Sequence, residues 1–276
     1  MQSRVIFYRA VVGSLVVLSL WLTSLNQALA LPPLIHGGQE RERFIMTDQE
    51  GRTRGLTIEI IDDLTRRLDL PVLHRTCPFK RCINQLISGQ MDLMMFITVN
   101  PRRSAAVEFI QVWPNPLTIN FYTRAPEAER LQSLSDLIKL RIGYVKGFYY
   151  SNQLAQIPKE QHTAVIKEQQ LPRMLLAGRI DVFPVYGRSH NFIDKDFPQL
   201  QLAPLQLTGP DFAILAISKK SPYLQFSEQM NLTLEEMAID GTLDKIWGRY
   251  HDGDKVSMPP ELRRRVKSLQ NGPENE

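Results

Sequence analysis

"GLTIEIIDDLTRRLDLPVLHRT" (Gly55–Thr76) is the stretch whose reading decides the fold. Ile58, Ile61, Leu64 and Leu68 recur at helical spacing, so Leu56–Leu70 predicts an amphipathic helix that Pro71 ends. "PVLHRT" then predicts a strand. The step repeats at once. "KRCINQLISG" reads as a short helix carrying Cys82, Leu86 and Ile87 and closed by Gly89. "MDLMMFIT" (Met91–Thr98) is apolar and brief, as a buried parallel strand should be. Helix, strand, helix, strand at this spacing predicts an α/β sheet covered on both faces.

Outward from this core the pattern continues and then restarts. "LPPLIHGG" is an apolar opening and "QEGRTRG" a turn; "PLTINFYTR" is a further strand after the loop "VNPRRSAAV". Beyond "TRAPEAERLQ" a second series begins. "SLSDLIK" is a capped helical turn, "LRIGYV" a strand, "KGFYYSNQLAQI" a turn into a helix, and "TAVIK", "EQQLPRMLLAG" and "RIDVFPV" a strand, a helix and a strand. Two such series predict two α/β lobes. A strand, "DFAILAIS", follows. A long helix over Pro222–Asp240 comes next, with Phe226, Met230, Leu234 and Met237 on one face and Gly241 at its end. "TLDKIWGRY" makes a last helix, and no internal repeat is visible.

The first thirty residues read as an export signal. Arg4 and Arg9 supply positive charge, and Val11–Leu22 is an apolar run of 12 residues. A membrane span needs roughly 20. Ala28-Leu29-Ala30 fits a cleavage site, so the mature chain is expected to begin at Leu31, in the periplasm, without stable membrane insertion. The only two cysteines, Cys77 and Cys82, lie in "TCPFKRC". Four intervening residues do not make a C-x-x-C redox motif, and no second Cys/His pair completes a zinc site. That leaves a small structural disulfide or two buried thiols; an oxidising compartment favours the disulfide.

Composition is that of a globular chain, 43% hydrophobic and 22% charged. The net charge of +4 falls to +2 once Arg4 and Arg9 are removed, which gives no reason to expect a nucleic-acid partner. The basic run "LRRRVK" (Leu262–Lys267) reads as part of a solvated tail over 251–276. His36, His74, His162, His190 and His251 are scattered without metal spacing. There is no phosphate loop, no G-x-S-x-G and no Cys/His nucleophile pattern. No catalytic residue, metal or cofactor is expected.

The segments together resemble the periplasmic solute-binding proteins of family 3, the polar amino acid binders. "GLTIEIIDDLTRRLDL" is similar to the family's opening, "FKRCINQLISGQMDLMM" to its aromatic-then-helix step, and "NPRRSAAVEF" to its T-x-x-R-x-x-x-V-x-F loop. "SLSDLIKLRIGYVKG", "LLAGRIDV" and "EEMAIDGTLDKIWGRY" match the start of the second lobe, its L-x-x-G-R-[IV]-D step and the family's ending. The resemblance runs in order from Leu34 to Tyr250. It implies a two-lobed α/β periplasmic binding protein fold (type II), each lobe a mixed sheet flanked by helices, with the ligand cleft between them. Lobe 1 takes 31–122 and 211–250 and lobe 2 takes 123–210, with hinges near Phe121–Pro126 and Leu207–Phe212. It also implies a monomer that binds a small molecule and serves an ABC permease or, as an alternative, a membrane sensor. A cleft enzyme of the cyclohexadienyl dehydratase type is a further alternative.

The resemblance also assigns cleft residues. Arg103 takes the carboxylate position, where a guanidinium matches two oxygens. Its neighbour Arg102 is expected to face solvent. Thr98 and Phe96 share the strand before Arg103, and Phe79 takes the aromatic position. Two departures stand out. Where amino acid binders have G-[ST]-[ST], this chain has Gly147-Phe148-Tyr149-Tyr150. Five residues after Asp181, where they carry an aspartate for the α-ammonium, it has Tyr186. Such a cleft suits a flat or larger organic acid, an aromatic compound or a short peptide better than a small zwitterion. Glu40, Arg41 and Glu42 stand where an aromatic usually stacks on the ligand; a solvated turn is the expectation for them.

Overall fold

The computed structural model describes residues 31–113, 118–187 and 191–250. The export signal, the basic tail, His190 and His251 lie outside the described residues. The first sheet is built from β1 (Leu34–Gly38), β4 (Val72–Thr76), β5 (Leu93–Thr98), β6 (Val107–Trp113) and β12 (Phe212–Ser218), in the order β4-β1-β5-β12-β6. β2 (Met46–Thr47) and β3 (Thr53–Arg54) form a small hairpin ahead of α1 (Leu56–Arg67). β4, β1 and β5 run parallel, and β12 is antiparallel to both its neighbours. The parallel part is what the helix–strand repeat over Gly55–Thr98 requires, because each helix returns the chain to the same end of the sheet.

Both faces of this sheet are covered, which explains the continuous apolar run in β5. On one face Leu34, Ile61 and Leu64 pack with Met230 and Met237 of α8 (Ser227–Ile239) and Ile246 of α9 (Thr242–Tyr250). On the other, Cys82 and Leu86 of α2 (Phe79–Ser88) pack on Met94, Val107 and Ala216. Gly89 ends α2 at φ 82, the left-handed cap its sequence position predicts.

The second sheet holds β7 (Thr118–Arg124), β10 (Phe183–Tyr186) and β11 (Leu200–Thr208), in the order β10-β7-β11. β8 (Ile142–Val145) pairs with β9 (His162–Val165), and a parallel bridge from Ile142 to Val182 continues the surface toward β10. Phe121, Leu154 and Leu205 pack on one side, and Tyr122, Leu171 and Phe183 on the other. Between β7 and β8, the turn α4 (Leu134–Leu137) starts with Ser133 and Asp136 in a capping box, the structural basis of the "SLSD" signal.

β6 of the first sheet ends at Trp113 and β7 of the second begins at Thr118; β11 of the second ends at Thr208 and β12 of the first begins at Phe212. The divide read from the sequence at 122 falls inside β7, which pairs with β10 and β11 along its length. The reason lies in "TINFYT". Ile119 and Phe121 bury on one face of the second sheet and Tyr122 on the other, so the whole segment is committed to it.

Candidate functional site: the cleft between the sheets

The wall of the cleft on the first sheet begins in the cysteine loop. Cys77 and Cys82 form a disulfide with their Cα atoms 5.6 Å apart. The closed loop carries Phe79 and Lys80 at the start of α2, both of which reach the second lobe. The Phe79 ring meets Phe148 edge-on, with centroids 4.6 Å apart. Gly147, at φ 96, lies so close to Lys80 that a Cβ there would stand 3.0 Å from its Cα. A methyl group there would require Lys80 to give by a few tenths of an ångström. On the rim, the Gln39 side chain donates to the Ile166 carbonyl at 3.1 Å.

Arg103 sits on α3 (Pro101–Ser104), a single turn whose cap, Asn100, accepts from the Arg103 backbone N–H at 3.0 Å. The side chain is only 3% exposed. Its guanidinium donates to the Thr98 carbonyl at 2.7 Å, to the Thr98 hydroxyl, and across the cleft to the Gly147 carbonyl at 2.9 Å. It also lies over the Phe79 ring, 5.6 Å from the centroid. Burial lowers its pKa to about 10, so it stays a cation at neutral pH. Among the described residues no carboxylate stands at ion-pair distance from it; its acceptors are neutral. Arg102 is exposed.

On the second lobe Phe148, Tyr150 and Tyr186 pack on one another. Tyr186 stacks on Tyr150 with centroids 5.0 Å apart, and Phe148 lies 6.0 Å from Tyr186. The Tyr186 hydroxyl donates to the Tyr149 carbonyl at 2.7 Å, and burial raises its pKa. The Tyr149 hydroxyl bonds to Asn152 instead of entering the cleft. Arg103, Thr98, Phe79, Gly147, Tyr149 and Tyr186 are thus brought into one neighbourhood, but the polar groups of Arg103, Gly147 and Tyr186 are engaged with one another and with backbone.

Beside this cluster lies a cavity of about 100 Å³. The first lobe lines it with Glu40, Arg41, Phe44, Phe79 and Phe96, and the second with Phe148, Glu168 and Gln169. His36 stands at its wall with Thr57 and Met95. Of the ligand-binding residues expected from the sequence, Phe79 and Phe96 line this space, and Phe148 of the Gly147–Tyr150 stretch lines it with them. Phe96 has a left-handed backbone, φ 53, and the ladders on both sides of β12 skip the position of Ile214 beside it. A non-glycine residue held there costs on the order of 1–3 kcal/mol, a strain found at ligand-facing positions. Its ring meets Phe44 at 5.7 Å and Trp247 at 6.4 Å.

Sequence reasoning missed five contributors. Glu40 and Arg41 are not merely a solvated turn: both line the cavity, and Arg41 lies over the Phe44 ring at 4.7 Å. An aromatic does line the cavity near positions 40–42: Phe44, two residues later. Glu168 and Gln169, ahead of α6 (Gln170–Leu176), come from a stretch with no motif. The only available signal for Phe44 was a lone aromatic in "RERFIM".

The chain belongs to the bacterial extracellular solute-binding proteins, family 3, whose model matches residues 35–253. No curated protein matches it in sequence. Solved structures share its architecture. An ancestral arginine-binding protein bound to arginine superposes with a TM-score of 0.64 at 20% identity, over 79% of this chain and 97% of that one. The amino acid ABC transporter substrate-binding protein AbpA from Streptococcus pneumoniae, bound to L-arginine, gives 0.66 at 18% identity, over 79% and 94%. A histidine kinase sensor domain with similarity to periplasmic binding proteins gives 0.65 at 16%, over 80% and 96%. At these identities the likeness fixes the fold: two-lobed α/β, with a cleft between the lobes. No helix among the described residues is long and apolar enough to cross a membrane.

Proposed function

We propose that the protein is an exported solute-binding protein that captures a small organic molecule between its lobes by hinge closure and delivers it to an ABC permease. The observation that carries this reading is the cavity whose walls come from both lobes, Phe44, Phe79 and Phe96 facing Phe148 and Glu168. A ligand there touches both halves and so favours the closed arrangement over an open one. The ligand is an aromatic or otherwise apolar compound rather than a polar amino acid. Where the resemblance expects an aspartate for the ammonium, this chain has Tyr186, whose hydroxyl is already committed to Tyr149. The leader over 1–30 places the mature chain, starting at Leu31, in the periplasm. Binding without chemistry is the activity, and a product assay on purified protein tests the dehydratase alternative.

A sensing role uses the same cleft and differs only in which partner reads the closed form; the likeness to a histidine kinase sensor domain favours keeping it as the second reading. Mass spectrometry of the small molecule that co-purifies from the periplasm, followed by a thermal-shift screen, tests the proposal. At a hundred times its dissociation constant a cleft ligand stabilises the fold by about 2.7 kcal/mol. An extract with no bound solute, and no stabilisation by any compound of a broad metabolite panel, would count against it.

A further inference from the structure

Asp62, His74 and His36 form a hydrogen-bonded chain that leads from the protein surface to the wall of the cleft cavity. The Asp62 side chain on α1 is 55% exposed, and its Oδ1 lies 2.9 Å from Nε2 of His74 on β4. His74 stands directly opposite His36 of β1 in the parallel ladder, and their Nδ1 atoms are 2.9 Å apart. His36 is fully buried, at 0% exposure, and lines the cavity with Phe44, Thr57, Met95 and Phe96. Its Nε2 is buried without a hydrogen-bond partner among the described residues. Buried polar atoms are ordinarily paired, so this nitrogen calls for a partner.

The proton positions follow from what each group can do. A carboxylate only accepts, so a neutral His74 donates to Asp62 from Nε2 and keeps a bare Nδ1. That Nδ1 accepts from Nδ1–H of His36, which leaves His36 a lone pair on Nε2. Burial holds the His36 pKa at about 3, so the imidazole is neutral at ordinary pH.

We propose that His36 Nε2 is a subsite at the inner end of the cavity that accepts a hydrogen bond from an N–H or O–H of the bound solute. Asp62 and His74 are positioning residues that hold the tautomer. The solute class is an aromatic or apolar body, matched to the phenylalanines of the cavity, ending in a hydrogen-bond donor. A solute that presents an acceptor instead sets lone pair against lone pair and leaves the buried nitrogen unpaired, which is how polar pockets discriminate most strongly.

The inference rests on the solute-binding reading above, and the test separates the two. Indole and benzofuran share a shape, but indole presents an N–H where benzofuran presents an oxygen. Binding of each to the full-length protein is measured by calorimetry, and the state of His36 Nε2 by ¹⁵N NMR of labelled histidine. The wild type should prefer indole by about five- to tenfold, and indole should shift the Nε2 resonance. His36→Phe should remove the preference. Asp62→Ala, at a half-exposed site that the fold does not need, should reduce it and change the tautomer seen by NMR. Equal binding of the two probes, binding of neither, a preference that survives His36→Phe, or an Nε2 resonance that indole leaves unmoved would each overturn the subsite. Co-purification of a cleft solute alongside any of these would leave the solute-binding reading standing. Absence of any cleft solute would count against that reading and not specifically against His36.

Discussion

A buried arginine with no acidic partner among the described residues is the most informative single residue of the cleft. Taking a guanidinium out of water is costly, and here the Thr98 carbonyl and hydroxyl, the Gly147 carbonyl and the Phe79 ring offset that cost. Hydrogen bonds to a charged group are worth roughly 1.5–3 kcal/mol. Arg103→Ala should therefore weaken binding of a cleft ligand by about ten- to a hundredfold even if that ligand has no carboxylate, because the cross-cleft bond is lost. With a carboxylate-bearing ligand the loss should be larger, roughly 2–5 kcal/mol, because the acid then loses its charged partner. Arg102→Ala should change affinity by less than about threefold, as expected of an exposed charge. Calorimetry on both variants decides it; equal losses would contradict the assignment. His36 gives a second test at this scale. Its folded pKa of about 3 lies below the ordinary 6.5, so the unfolded chain takes up the proton first as pH falls. Its contribution to stability is therefore full above pH 6.5 and is lost progressively from 6.5 toward 3, on the order of several kcal/mol in total. Urea midpoints of wild type and His36→Gln at pH 7, 5 and 4 should converge in acid; parallel curves would refute this.

Among the elements, the disulfide-closed start of α2 joins covalent chemistry to the cleft. Cys77 and Cys82 flank Phe79 and Lys80, the two residues that meet Phe148 and Gly147. Closing so short a loop stabilises the fold by only roughly 2 kcal/mol on the chain-entropy estimate. Its larger effect should be to hold the Phe79 ring where the second lobe meets it. The double variant Cys77→Ser/Cys82→Ser should melt a few degrees lower, yet lose ligand affinity more than Cys-independent destabilisation of the same size does. Leu64→Val, an apolar truncation at a buried core residue that does not line the cavity, provides that comparison; matched affinities would show that the bridge is structural only. The element scale is also where the sequence was most legible. Leu56–Arg67, Phe79–Ser88 and β5 follow from helical spacing, Gly89 and an apolar run, because each buries its apolar face locally. What escaped was set by tertiary context. Nothing local marks Glu168 as a cavity residue, since its place depends on how the second lobe meets the first. The lobe divide expected at 122 lies within β7, since an apolar strand reads alike whichever sheet receives it.

At the scale of the whole molecule, the two lobes were legible because the βαβ pattern restarts, but their state of closure was not, because closure is decided by a few contacts between distant segments. Those contacts include Arg103 to Gly147, Phe79 to Phe148, Tyr186 to Thr98, Gln39 to Ile166 and the backbone approach of Gly147 to Lys80. Together they are modest, so the balance between closed and open forms should respond to a single substitution, and Gly147 is the sharpest choice. A methyl group there would stand 3.0 Å from the Cα and 3.1 Å from the Cβ of Lys80. Backbone cannot yield as a flexible side-chain tip can, so the clash must be relieved by separating the lobes. The positive φ of 96 adds a separate cost of roughly 1–2 kcal/mol, paid in the open form as well. Gly147→Ala should therefore lower thermal stability only slightly, raise the radius of gyration of the ligand-free protein in solution scattering, and weaken binding of any cleft ligand. Adding saturating ligand should bring the radius back toward the wild-type value, because binding energy then opposes the clash. An unchanged radius with unchanged affinity would mean that the lobes do not close on Gly147 in solution. A collapse of the melting temperature would mean that the residue is needed for folding rather than for closure.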